Sequence, residues 1–199
     1  LRYLNLSFNT LSGTIPFSIG MLHNLSSLDL GNNRLSGEIP PLLGSSRALE
    51  SVSLTNNLLD GEIPQSLANS SSSLTTLLLA QNQLQGFIPD FGKLSGLEIL
   101  DLSYNNLSGT VPYSIYNLSA LFFLGLANNN LGGTLPSDMG NTLPKIEILM
   151  MSDNHFEGDI PAPLQNASRM RFIHLGDNSL TGEIPSFSSM PSLKYVMLY

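Results

Sequence analysis

Few residues in this 199-residue chain are of a type that could do chemistry, and their spacing argues against it. His174 and Asp177 fall close together, and His155 follows Asn154. A His–Asp pair can activate a hydroxyl nucleophile, but no serine stands in a nucleophile-elbow context to receive that help. No His, Glu or Asp spacing resembles a metal site, and the chain has no cysteine. A thiolate ligand, a thiol nucleophile and a disulfide scaffold are therefore excluded. Glycoside cleavage needs two carboxylates converging in a cleft, whereas the acidic residues here are dispersed. We expect no catalytic residue, no metal and no cofactor.

Composition narrows the partners. Hydrophobic content is 42%, as in a globular protein, but only 12% of residues are charged, about half the usual share. Asn, Ser and Gly fill the difference. The formal charge of −7, with eight basic residues scattered along the chain, lacks the Lys/Arg clustering that nucleic acid requires. No window approaches the run of about 18 apolar residues that a membrane helix needs, so this segment itself is not expected to insert.

The elements that must position any site are set by an internal repeat. Aligned on the Asn before x-Leu-x-Gly-x-Ile-Pro, units begin at Leu1, Leu25, Leu49, Leu74, Leu97, Leu121, Ile146 and Met170, with a partial ninth at Leu193. They are 24, 24, 25, 23, 24, 25, 24 and 23 residues long. We expect one continuous array over 1–199. Within each unit Leu-x-Leu alternates, so Leu28 and Leu30 face in while Ser27 and Asp29 face out. That pattern predicts one short strand per repeat, stacked as a parallel sheet at roughly 4.8 Å spacing. The recurrent Asn, from Asn9 to Asn178, stands where the chain leaves the strand and can satisfy stranded backbone groups there. The recurrent Gly permits a tight turn or close approach, and the recurrent Pro sets the return path and prevents a long helix.

The irregular units carry their own explanations. In the two 23-residue units Phe91 and Phe187 arrive one position early and are expected to fill the space left by the deletion. The 25-residue units place their extra residue in polar stretches, at Asn69–Ser73 and near Asn141–Thr142, and so on the outer surface. The chain opens directly on Leu1-Arg2-Tyr3-Leu4, and neither end carries the polar cap that closes a solenoid core. We expect an internal segment of a longer protein.

Reading the outward position of each strand gives Tyr3, Ser27, Ser51 and Thr76, then Ile99, Phe123, Ile148, Phe172 and Tyr195. The second part is an unbroken apolar ladder, about 19 Å long at strand spacing. Two positions on, the same repeats supply Asp101, Gly125, Met150, His174 and Met197. We take Ile99, Asp101, Phe123, Ile148, Met150, Phe172, His174 and Tyr195 as the candidate ligand-binding residues, because contiguous exposed apolar strips mark interaction surfaces and aromatics anchor them. The same side chains could instead do no more than pack against sheet neighbours. Acids flank the strip (Glu98, Asp101, Glu147, Asp153, Asp177) against Arg171 and Lys194. They could steer a basic peptide or only keep the surface solvated.

The segments LSGTIP (11–16), LSGEIP (35–40), LDGEIP (59–64), LSGTVP (107–112) and LTGEIP (180–185) resemble the plant-specific leucine-rich repeat, and the resemblance covers the whole chain. It looks most like the ectodomain of plant receptor-like Ser/Thr kinases. Residues 116–149 and 164–185 are similar to the branch that contains immune receptors. The resemblance implies an α/β repeat solenoid, a curved right-handed superhelix with a parallel sheet inside and short turns and 3-10 segments outside. It also implies a peptide or protein ligand, a co-receptor kinase ectodomain as a possible partner, and a site on the extracellular side of the plasma membrane. Caps, membrane helix and kinase would lie outside this chain. The polygalacturonase-inhibitor type, secreted to the cell wall, uses the same repeat without a kinase. Sequons occur at Asn5, Asn24, Asn69, Asn106, Asn117 and Asn166, in modest excess over chance, which favours secretion. Asn5 points to the inner face, where a glycan would obstruct binding, so the other five are the glycosylation candidates.

Overall fold

The alternating segment of each repeat forms a three-residue strand. In the computed structural model, which describes residues 1–70 and 73–199, nine such strands lie in chain order as one parallel sheet. They are Tyr3–Asn5, Ser27–Asp29, Ser51–Ser53, Thr76–Leu78, Ile99–Asp101, Phe123–Gly125, Ile148–Met150, Phe172–His174 and Tyr195–Met197. Between the two end strands their central residues point into a single continuous core: Leu28, Val52, Leu77, Leu100, Leu124, Leu149 and Ile173 are all fully buried. At roughly 2 kcal/mol for each buried aliphatic side chain, this stack is the principal stabilising element.

The chain then leaves the strand through a left-handed residue. Phe8, Asn32, Asn56, Gln81, Tyr104, Asn128, Asp153 and Asp177 all have φ between 51° and 57°, a region that Asn and Asp tolerate better than most residues. The ladder Asn follows. Asn129 Nδ2 donates to the carbonyls of Leu102, Leu126 and Ala127 at 3.1, 3.1 and 3.3 Å, and its Oδ1 accepts the Leu107 amide at 3.0 Å. Asn57, Asn82, Asn105 and Asn154 repeat that arrangement on their own neighbours. Each amide thus ties its own turn to the preceding repeat.

One sequence expectation needs amendment. The segment around the recurrent Gly, expected as a tight turn or a close backbone approach, forms a second ladder of short parallel strands. Ser12–Thr14, Arg34–Glu38 and Leu58–Asp60 make one sheet. Gln85–Phe87, Asn106–Thr110, Asn130–Thr134, His155–Asp159 and Ser179–Thr181 make another. A Glu62–Gln85 bridge lies between them. Gly109 sits inside its strand at φ +78° with the Phe87 ring against it, 2.6 Å from where a Cβ would stand. Both the backbone and the space there demand glycine.

After the Pro the chain makes single turns on the outer side: 3-10 helices at Phe17–Met21, Leu43–Ser45, Tyr113–Asn117 and Ala162–Asn166, and α turns at Gln65–Ala68 and Met139–Thr142. Phe91 is fully buried and Phe187 packs partly buried against the core, so both aromatics fill the shorter repeats as expected. The extra residue near Asn141–Thr142 lies in the short helix Met139–Thr142. That of Asn69–Ser73 falls partly on residues 71 and 72, outside the described residues.

Candidate functional site

Parallel pairing places the outward row in exact register. Ile99, Phe123, Ile148, Phe172 and Tyr195 are Cα partners from strand to strand, continuing Tyr3, Ser27, Ser51 and Thr76 on the other side. Ile99 through Phe172 are half-buried by one another, and Tyr195 is exposed. The Phe172 and Tyr195 rings lie 6.0 Å apart at 52°, within the range of favourable tilted contacts. Phe123, Ile148, Met150, Phe172 and Tyr195 line an open apolar depression with Arg171 and Lys194 at its edge. Arg171 pairs with Glu147 at 3.4 Å, an exposed bridge worth little stability.

The second row is Asp101, Gly125, Met150, His174 and Met197, also in register. The His174 imidazole meets the Phe172 ring edge-on at 6.3 Å and 87° and the Tyr199 ring at 6.0 Å. Its Nε2 is shielded from solvent and has no hydrogen-bond partner among the described residues. All eight candidate residues therefore share one face of one sheet. Sequence reasoning did not single out Ser103 and Gly125, which shape the Asp101 end of that face. A glycine in an otherwise side-chain-bearing row was the available signal.

His174 and Asp177 are not hydrogen-bonded to each other in the structure, and Asp177 is exposed in the left-handed turn. Among the described residues no group of three or more His, Cys, Asp or Glu side chains could hold a metal ion. No helix among the described residues is long and apolar enough to cross a membrane. On the outer side the Tyr113 hydroxyl donates to Asp138 at 2.7 Å; that bond holds the phenol above its ordinary value. Burial pushes the Tyr116 phenol up as well.

The candidate glycan acceptors Asn24, Asn69, Asn106, Asn117 and Asn166 are all exposed. Asn106 accepts from Asn130 at 2.6 Å and Asn69 from Lys93 at 3.1 Å. Asn166 donates to Asn141 at 2.8 Å. The sequon at Asn69 runs to residue 71, outside the described residues. Asn5 lies on the inner strand, its Oδ1 accepting the Ser7 amide and hydroxyl.

Such a solenoid, with a stacked parallel sheet, an Asn ladder and a broad side-chain face, presents the kind of extended surface that repeat proteins use for binding. Family models described as leucine rich repeat match residues 72–131, and residues 1–22, 24–46, 48–70 and 145–167; the chain belongs to the leucine-rich-repeat family. Over 50 residues, 25% of this chain and 5% of the relative, it is 38% identical to the receptor protein-tyrosine kinase CEPR1 of Arabidopsis thaliana. The plant peptide hormone receptor RGFR1 in complex with RGF2 superposes on the whole chain with a TM-score of 0.95 at 38% identity. The Arabidopsis receptor kinase HAESA, in complex with the peptide hormone IDA and the co-receptor SERK1, does so at 0.93 and 34% identity. The chain covers only 32% and 33% of those two structures.

Proposed function

We propose that this chain is a ligand-recognition segment of a plant receptor kinase ectodomain, binding a peptide or protein on its inner face and signalling through a kinase outside the segment. The ligand lies across Ile99, Phe123, Ile148, Phe172 and Tyr195, with Asp101, Met150 and His174 along its second edge. One observation carries this reading: five consecutive strands present apolar side chains in register on an accessible sheet face. Solved relatives at 34–38% identity were captured with peptide hormones bound, which supports a peptide as the ligand class. The HAESA structure includes a co-receptor, and a co-receptor ectodomain is the second partner we propose. The segment works on the extracellular side of the plasma membrane, with glycans on the exposed sequons.

The test is binding of the intact ectodomain to a panel of extracellular peptides and cell-wall hydrolases, with and without Phe123→Ala plus Phe172→Ala. Losing two aromatic anchors should weaken peptide binding by about 2 kcal/mol or more, at least thirtyfold. Hydrolase binding that survives both substitutions would replace this reading with that of a secreted inhibitor using another surface.

A further inference from the structure

The second outward row is broken at Gly125, between Asp101 and Met150. A Cβ built on Gly125 would collide with the Asp101 carboxylate, and would stand 2.9 Å from both the Phe123 ring and the Ser103 hydroxyl. The missing side chain is therefore what lets the carboxylate reach across to the next repeat, between a ring edge and a hydroxyl. One Asp101 oxygen accepts the Ser103 amide at 3.1 Å. Among the described residues Asp101 has no ion-pair partner. Ser103 is only 4% exposed, and its hydroxyl has no hydrogen-bond partner among the described residues. A buried hydroxyl left open is unfavourable, so a group that supplies the missing bond is favoured before any charge is counted.

We infer that this notch is a subsite for a cationic nitrogen of the ligand, an ammonium or guanidinium. The inference rests on the reading that the ligand lies along the apolar strip. Asp101 supplies the countercharge, the Ser103 hydroxyl oxygen accepts an N–H, and the Phe123 ring covers the apolar stem that long basic side chains carry. Without a Cβ at Gly125 the carboxylate, the hydroxyl and the ring edge meet at one point. An apolar strip alone binds many hydrophobic partners equally. A carboxylate at one point along it requires the ligand to bring a positive charge in a set position, and specificity arises because a neutral competitor leaves that carboxylate unpaired. The chain's charge of −7 favours approach of such a ligand.

The experiment uses the intact ectodomain and a synthetic library of short Leu- and Phe-rich peptides. Each member carries Lys, Arg or the neutral isostere norleucine at one scanned position, with the N-terminus either acetylated or free. The expected result is a Lys or Arg preference over norleucine of about tenfold at one position of peptides whose binding Phe172→Ala abolishes. That ratio should fall to within about twofold in Asp101→Asn, where the countercharge is gone. It should fall similarly in Gly125→Ala, whose new methyl displaces the carboxylate. A preference seen only with free N-termini assigns the same subsite to the terminal ammonium. Phe172-dependent binding with no preference for charge, or with one that persists in Asp101→Asn, overturns the subsite while leaving the strip intact. Binding that ignores Phe172, or no binding by any peptide, overturns both.

Discussion

Repeats one to four and repeats five to nine share their strands, their Asn ladder and their buried leucines, yet turn different side chains to the ligand side. The first group shows Tyr3, Ser27, Ser51 and Thr76, with Tyr3 isolated at 71% exposure beside a serine. The second shows Ile99, Phe123, Ile148, Phe172 and Tyr195, each touching its neighbour's position in the sheet. Beneath them the inner row is constant away from the two end strands: Leu28, Val52 and Leu77 are as buried as Leu124, Leu149 and Ile173. Because strand side chains alternate with a period of two, the outer set can vary while the inner set stays constant. A solenoid can therefore specialise part of its length for recognition without altering its fold.

The largest effect should not distinguish the two groups at all. Leu28→Ala and Leu124→Ala each remove a fully buried side chain from the stack and should each cost about 2–5 kcal/mol. Denaturant unfolding checks this, and a large gap between the two would break the claim of a common core. Next comes Asn129→Ala, which strands the buried Leu107 amide and takes one of two donors from each of three carbonyls. It should cost about 2–3 kcal/mol, again in either half, with Asn57→Ala as the matched variant.

The comparison sharpens at the outward row. Phe123→Ala with Phe172→Ala should lower stability by only about 1–2 kcal/mol, through lost cross-strand packing, while removing ligand binding. Ser27→Ala with Ser51→Ala should change stability by less than about 0.5 kcal/mol and leave binding intact. Equal binding losses from both pairs would spread the site over the whole face.

The smallest effect lies at the boundary between the groups, where the Ser114 hydroxyl of the fifth repeat donates to Asp90 of the fourth. That bond, with the Gly92 amide, holds the Asp90 carboxyl below its ordinary value of 3.8. A depressed folded value means the contribution is present above the unfolded value and lost as pH falls through the folded one. Ser114→Ala should thus destabilise at neutral pH, by less than about 0.5 kcal/mol at so exposed a site, and not at all in strong acid. Thermal unfolding of both proteins across pH checks the sign.

Much of this was legible in the chain itself, for a stated reason. The repeat period, the strand at each Leu-x-Leu and the inward or outward sense of Phe123 and Phe172 follow from alternation, which is local. The role of the Asn ladder followed from the need to satisfy backbone groups leaving a buried strand. The second ladder of strands did not. Its recurrent Gly disfavours a strand, and the segment pairs only because it recurs one repeat away. The left-handed residue before each Asn was equally hidden, since Phe8, Gln81 and Tyr104 do not favour that conformation.

Sequence by itself determined the repeat, the core and the apolar character of the later outward row, because each depends on residues a few positions apart. Tertiary structure decided that this row is in register across five strands, that the His174 Nε2 and the Ser103 hydroxyl are left without partners among the described residues, and that Asp101 leans over Gly125. Those contacts join residues about one repeat apart, and only the stacking of one coil on the next brings them within reach.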